Sequence, residues 1–385
     1  MNYDFDTIIE RRHTACVKYK EQLMKNRPDD SIIMTLADMD LPVMKEVKDA
    51  MHQRCDHPVY GYGELKEELP KLVCSWYQER YDTPITPDSC VITPSVNTAI
   101  AWCIQTFTKP GDGILIQNPS YSPFRKNIIL NNRRCLINEL NYRNGQYEID
   151  FQTFEEACKE ASMFILCSPH NPISRVWSRD ELKKMLHLCN QYHVLIISDE
   201  IHCDWCFQKP FLPAATFQDS VITIVSGSKT FNLQGLETSF IFLPDKKMLA
   251  DYQHTVAAIS YMNNQCFSEA GFKAAYQHGD EWLNQAKEYV YGNYMYMINY
   301  FQQHHLKLSF SPLEATFLAW LDCSEYVQSE AEMIDLFENK CHIYGNTFTH
   351  FDCKHPFIRL NIGVSRKVIE DFCNRLAQVI QKENS

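Results

Sequence analysis

Two residues of opposite chemistry follow consecutive apolar runs in this chain. Val194-Leu-Ile-Ile-Ser198 leads into Asp199-Glu200, and Val221-Ile-Thr-Ile-Val225 leads into Ser226-Gly-Ser228-Lys229-Thr230. Taken singly, an acid at a strand end is most often a turn or helix cap, and a lysine there is most often solvated. As a pair on the same edge of one sheet they are less ordinary. A buried carboxylate holds a heteroaromatic ring nitrogen in its protonated, electron-withdrawing form. A lysine that is partly desolvated and near other positive charge is neutral enough to form and exchange imines.

That pairing is what pyridoxal 5'-phosphate (PLP) chemistry requires, since the cofactor drains electrons only while its pyridine nitrogen stays protonated. Its phosphate needs a helix N-terminus and small hydroxyl donors. Thr93-Pro-Ser95-Val96-Asn97, at a strand-to-helix switch, supplies the first, and Ser226 and Ser228 the second.

The elements that must position these groups are legible as short apolar runs alternating with helical spacing. The runs are Val91–Thr93, Ile114–Gln117, Cys135–Leu140, Met163–Cys167, Val194–Ser198, Val221–Val225 and Ser239–Leu243. Helical segments fall at Val96–Phe107, Asp180–Tyr192 and Lys246–Ser260, and Ser178-Arg-Asp-Glu181 has the form of a capping box. Continuous rather than alternating apolar runs predict strands buried on both faces of a mostly parallel, seven-stranded sheet. Ligands in such sheets sit beyond the carboxyl ends of strands. After about Gly279 the pattern changes to longer helices with strands at Phe317–Leu321 and Phe357–Ile362. The expected organisation is an N-terminal segment (1–45) joining a small α/β domain (280–385), with a large cofactor-binding domain (46–279) between them.

A formal charge of −11 and the lack of any Lys/Arg run argue against a nucleic-acid partner. No apolar stretch is long enough to cross a bilayer, and the charged start has no secretory h-region. Sixteen cysteines without an export signal predict reduced thiols and a cytoplasmic protein. Cys203 and Cys206, the tightest pair, lack two further ligands at metal spacing, so no metal is expected.

The chain resembles the fold-type-I PLP-dependent enzymes, the aminotransferase class I/II superfamily, and within them the cystathionine β-lyase and cysteine-S-conjugate β-lyase group. The resemblance is carried by Ala37-Asp38-Met39-Asp40, Tyr60-Gly61-Tyr62, Thr93-Pro-Ser95-Val96, Asn118-Pro-Ser-Tyr121, Cys167-Ser-Pro-His-Asn171-Pro172, Ser198-Asp199-Glu200-Ile201-His202, Ser226-Gly-Ser-Lys229-Thr-Phe-Asn232 and Phe357-Ile-Arg359-Leu-Asn361. It implies that Lys229 attaches the cofactor and then moves the Cα proton, and that Asp199 binds the pyridine nitrogen. Tyr121 would stack on the ring, Asn171 would bind the ring 3'-oxygen, and His202 would stand where aminotransferases commonly place a tyrosine. Arg359 would grip the substrate α-carboxylate, with Asp38 and Tyr121 also lining the substrate. Tyr62 would reach the phosphate of a neighbouring subunit, so a homodimer with shared active sites is implied.

Two departures from the aminotransferase pattern bear on the reaction. Where many aminotransferases place a phosphate-gripping arginine, this chain reads Gly235-Leu236-Glu237-Thr238, and the familiar Asn-Pro-Thr-Gly turn is Asn171-Pro172-Ile173-Ser174. If that turn needs positive φ, Ser174 is mildly strained. The expected reaction is β-elimination from an amino acid bearing a sulfur leaving group, giving pyruvate, ammonia and a thiol. Transamination on the same fold shares its first steps, and a regulatory protein that kept the fold without activity is the reading from another class.

Overall fold

The computed structural model describes residues 2–20, 24–63, 68–143, 145–262 and 265–383. All seven apolar runs are strands of one sheet. In chain order they are β1 (Cys90–Thr93), β2 (Gly113–Asn118), β3 (Arg134–Arg143), β5 (Ala161–Cys167), β6 (Leu195–Asp199), β7 (Val221–Val225) and β8 (Ser239–Phe242). An eighth strand, β4 (Gln146–Ile149), folds back antiparallel on β3 and extends the expected seven-stranded sheet at its edge. The order is β1-β8-β7-β6-β5-β2-β3-β4. The central β3, β2, β5, β6 and β7 run parallel, while β8 is antiparallel to both neighbours.

Side-chain alternation divides these strands between two cores. Ile114, Ile116, Ile165, Ile197, Ile222, Ile224 and Ile241 pack against α1 (Val96–Phe107) and α4 (Lys246–Ala258). Leu115, Phe164, Leu166, Ile196, Val221 and Phe240 face the other way, toward the core that includes α2 (Arg179–Gln191). Both faces being covered explains why the strands read as unbroken apolar runs. Helix starts follow their caps. Ser95 Oγ accepts from Thr98 N (3.1 Å) at α1, and Ser178 and Glu181 complete a reciprocal capping box at α2. The short α3 (Gly227–Phe231), which carries Lys229, is capped by Ser226.

A second, smaller sheet is wholly antiparallel, in the order β9 (Ser309–Phe310), β10 (Leu318–Asp322), β12 (Phe357–Asn361), β11 (Asn346–Thr347). Helices α5 (Asp280–Gln303) and α6 (Arg366–Glu383) accompany it and contact each other. The N-terminal strand Ile32–Ile33 pairs parallel with Ile343–Tyr344. From there residues 34–41 cross back as a strap held by two asparagines. Asn232 Nδ2 donates to the carbonyls of Met39 (3.0 Å) and Leu41 (2.9 Å), and Asn361 Nδ2 donates to those of Leu36 (3.1 Å) and Asp38 (2.8 Å). Among the described residues no helix is long and apolar enough to cross a membrane.

Candidate active site

The parallel register brings Cys167, Asp199 and Ile224 side by side at the carboxyl edge of β5, β6 and β7. Asp199 therefore ends one strand, and Lys229 follows the next after one turn of α3. Both are buried. Burial raises the Asp199 carboxyl to about 7, against a lowering by the Ile201 N–H and by Lys229. Burial pulls the Lys229 amine down to about 8; Asp38 and Asp199 oppose that fall, whereas Arg359 adds to it. Lys229 Nζ donates to the carbonyl of Ala37 in the strap, which also accepts from Gln234 Nε2 at 3.0 Å. The Lys229 carbonyl is fixed from below by Trp205 Nε1 at 2.8 Å.

Arg359 enters from β12 of the smaller sheet. Its Nη1 donates to Asn171 Oδ1 (3.0 Å), its Nη2 to Asn346 Oδ1 (2.9 Å), and it lies over the Phe351 ring at 4.8 Å. Asn346 is the cross-strand partner of Arg359, which places the amide beside the guanidinium. Burial lowers Arg359 to about 10, and it has no carboxylate partner among the described residues. Its Nε is buried without a hydrogen bond among the described residues. His202 is likewise buried, its Nδ1 without a partner; desolvation, Lys229 and Arg359 all press it toward the neutral form. Tyr121 feels both Asp199 and Arg359, and burial raises its hydroxyl. Thus Lys229, Asp199, Arg359, Asn171, His202, Tyr121 and Asp38 converge on one site.

The phosphate candidates are arranged less uniformly. Ser95 and Val96 open α1 at the end of β1, where the first N–H groups of the helix have no intrahelical partner. Ser226 Oγ is already committed, accepting from Ser228 N (3.0 Å) and donating to the Thr238 carbonyl (2.7 Å). Ser226 thus acts here as a helix cap and has no free donor for an anion, whereas the Ser228 hydroxyl has no partner among the described residues. Glu237, in the stretch that replaces the aminotransferase arginine, has φ 44°. Tyr62 is apart from all of these, 92 % exposed. Ser174 does adopt φ 57°, and its hydroxyl meets Thr316 Oγ1 (2.8 Å) and the Leu318 carbonyl.

Several site features escape sequence reading. Asn346, Gln234 and Trp205 carry no motif of their own, and the roles of Asn232 and Asn361 as strap clamps were hidden within recognised strings. A further group surrounds Asp38. Arg11 bonds Asp38 Oδ2 through Nη2 and Asp40 Oδ1 through Nη1, while Lys18 bonds Asp40 Oδ2 at 2.8 Å. Cys203 and Cys206 are buried, Cys203 accepting from the Tyr77 hydroxyl at 2.8 Å. A surface groove of about 730 Å³ lies elsewhere, between helices Lys45–Asp56 and Cys266–His278. It contains none of the site residues.

Unpartnered buried polar atoms at Asp38, His202 and Arg359 surround an amine and an acid at one strand edge. That set suits a ligand with a cationic ring nitrogen for Asp199 and an aldehyde for Lys229, and a carboxylate for Arg359. The fold and site define a family. Residues 31–376 match the family model for aminotransferase class I and II, and the chain belongs to that family. Among similar proteins is cystathionine β-lyase PatB of Bacillus subtilis, 32 % identical over 381 residues, covering 97 % of this chain and 98 % of PatB. MalY of Escherichia coli is 27 % identical, covering 96 % of each chain. Among solved structures, cystalysin from Treponema denticola, which contains PLP, superimposes with a TM-score of 0.94 at 28 % identity, covering 99 % of this chain and 100 % of that one.

Proposed function

We propose that the protein is a PLP-dependent carbon–sulfur β-lyase acting on L-amino acids such as cystathionine or cysteine derivatives. The observation that carries this reading is the buried Arg359, with no carboxylate partner among the described residues, set with the Lys229 amine of lowered basicity and the Asp199 carboxyl at one strand edge. The names of PatB and of related lyase structures support the β-elimination reading over transamination. Residues 46–279 are read as the cofactor domain, and 280–385 with 1–45 as the smaller one.

When bound, PLP supplies an aldehyde that condenses with amines and a ring that drains electrons from Cα. The chain's residues do the rest. Asp199 keeps the ring nitrogen protonated: a cation against it restores the carboxylate that burial alone disfavours. Arg359 offers Nε and its remaining Nη hydrogens to the α-carboxylate, with the Asn171 and Asn346 amides fixing its plane. Lys229 takes the Cα proton; a pKa near neutrality leaves a useful fraction of free amine at working pH. Neutral His202 provides a hydrogen bond without adding positive charge. The sulfur would leave Cβ as thiol with the proton held by Lys229, and water would hydrolyse the remaining enamine to pyruvate and ammonia.

The exposed Tyr62 supports a homodimer in which that side chain serves a neighbouring site. Sixteen cysteines, all unpaired, support a reducing, cytoplasmic setting. The test is reconstitution with PLP, an absorbance spectrum, then addition of cystathionine with pyruvate and free thiol assayed together. An imine band with equimolar products and no keto-acid requirement is expected. A band with products only when a keto acid is added would turn the assignment to transamination, and no band would refute it.

A further inference from the structure

The strap that covers Lys229 carries a carboxylate poised differently from its neighbours. Asp40 has both oxygens occupied, by Arg11 and Lys18. Among the described residues Asp38 has only Oδ2 occupied, by Arg11; its Oδ1 is sealed from solvent and has no partner there. The next carbonyl along, that of Ala37, holds Lys229 Nζ. Asp38 also exerts the largest electrostatic influence on Lys229 after burial, ahead of Arg359 and Asp199. Two opposite charges therefore flank the lysine, Arg359 from the smaller sheet and Asp38 from the strap. An α-amino acid presents the complementary pair, a carboxylate and an ammonium.

An ammonium cannot act as a nucleophile until it loses a proton. Resting on the lyase reading above, we propose that Asp38 Oδ1 accepts the proton of the substrate α-ammonium and that Arg11 is the residue that positions it. The N–H bond breaks, its electron pair stays on nitrogen, and the proton forms an O–H bond on Asp38. The carboxylate is regenerated when the ammonia product takes that proton and departs as ammonium. The step is balanced and needs no further reactant. Arg11 fits the positioning role because its fork spans Asp38 and Asp40, so the Asp38 rotamer is fixed while one oxygen stays free. The charged groups that act on Asp38 are Arg11 of the N-terminal segment, whose fork also holds Asp40, and Lys229 of the large sheet, which Asp199 and Arg359 influence in turn. Lys18 is satisfied by Asp40, so Arg11 is the cation ion-paired to Asp38.

The test compares wild type with Asp38→Asn and Asp38→Glu, and uses two readouts. The first needs no cofactor: the pH midpoint for chemical modification of the Lys229 amine, followed by peptide mapping. Asp38→Asn removes the neighbouring anion and should lower that midpoint, and Asp38→Glu should restore it. The second is the pH profile of kcat/KM after reconstitution. Asp38→Asn should lose on the order of 100-fold at neutral pH, and the loss should narrow as pH rises and the substrate amine deprotonates in solution. Arg11→Lys, which keeps the charge and loses the fork, should fall between them. An unchanged midpoint, or a kcat/KM profile for Asp38→Asn parallel to wild type, would overturn the proposal. An imine band in Asp38→Asn together with a parallel profile refutes the role of Asp38 and leaves the lyase reading standing, whereas absence of the band in wild type refutes that reading itself.

Discussion

Arg359→Met is the substitution whose outcome is best fixed by the structure. The guanidinium is buried, held by two neutral amides and the face of Phe351, and lowered by burial to about 10. That shift corresponds to roughly 3 kcal/mol of unfavourable charging, which a bound α-carboxylate offsets. Removing one partner of such a buried charge-assisted pair costs roughly 2–5 kcal/mol, or ~30- to 4,000-fold in kcat/KM. The loss should appear mainly in KM, because the carboxylate is gripped equally in ground and transition states. Arg359→Lys keeps the charge but not the planar fork, and should lose about 10- to 100-fold. The decisive assay compares cystathionine with its α-carboxamide. Wild type should strongly prefer the carboxylate, and Arg359→Met should prefer it little. A Met variant that retained the wild-type preference would show that another group reads the carboxylate. The cofactor-free Met variant should also melt no lower than wild type, since losing an unneutralised buried charge offsets the two lost amide contacts.

Lys229→Ala should abolish the imine band and lower turnover by at least ~10³-fold; a purified variant that kept both would refute its role. Asp199→Asn should weaken PLP binding, read by the equilibrium absorbance on cofactor titration, and wild-type affinity would mean another group protonates the ring. Without cofactor, Asp199 binds its proton more tightly folded than unfolded, so its contribution to stability declines as pH rises from 3.8 to about 7. Lys229 binds its proton less tightly when folded, so its contribution recovers between about 8 and 10.5. The stabilisation conferred by PLP, measured as the difference in melting temperature, should therefore be largest near pH 7–8, and Asp199→Asn should remove the acidic side of that profile. Asn232→Gly keeps the left-handed backbone (φ 59°) but releases the strap, and should cost roughly 1.5–4 kcal/mol in urea unfolding; an unchanged midpoint would mean the strap is held elsewhere.

The large sheet was legible because its strands are buried on both faces. Val221–Val225 coincides with β7 residue for residue, and the other runs differ from their strands by a few residues at the ends. β4 was not legible, since the alternation of Gln146-Tyr-Glu-Ile149 covers only four residues, too short a run to stand out as a strand. At the site, Lys229 and Asp199 could be located because strand ends are local features. Asn346 could not, because its place beside Arg359 is set by the antiparallel register of β11 and β12. Ser226 shows a different gap: its type suited an anion, but the cap it makes to α3 consumes its donor. The free oxygen of Asp38 depends on how Arg11 divides its fork, which no spacing records.

The strap also sets an order of events during synthesis. Its Asp38 carbonyl is bound by Asn361, 323 residues later in the chain. At a translation rate of roughly 5–20 residues per second, that partner is made some ~15–65 s after the strap itself. Asn232 is available earlier and can dock Met39 and Leu41 while the rest of the chain is still on the ribosome. Arg359 and Asn361 belong to the same late strand, β12. A nascent chain therefore contains Lys229 and Asp199 well before it contains Arg359, the residue proposed to hold the substrate carboxylate, and a product truncated before β12 would carry the first two and lack the third.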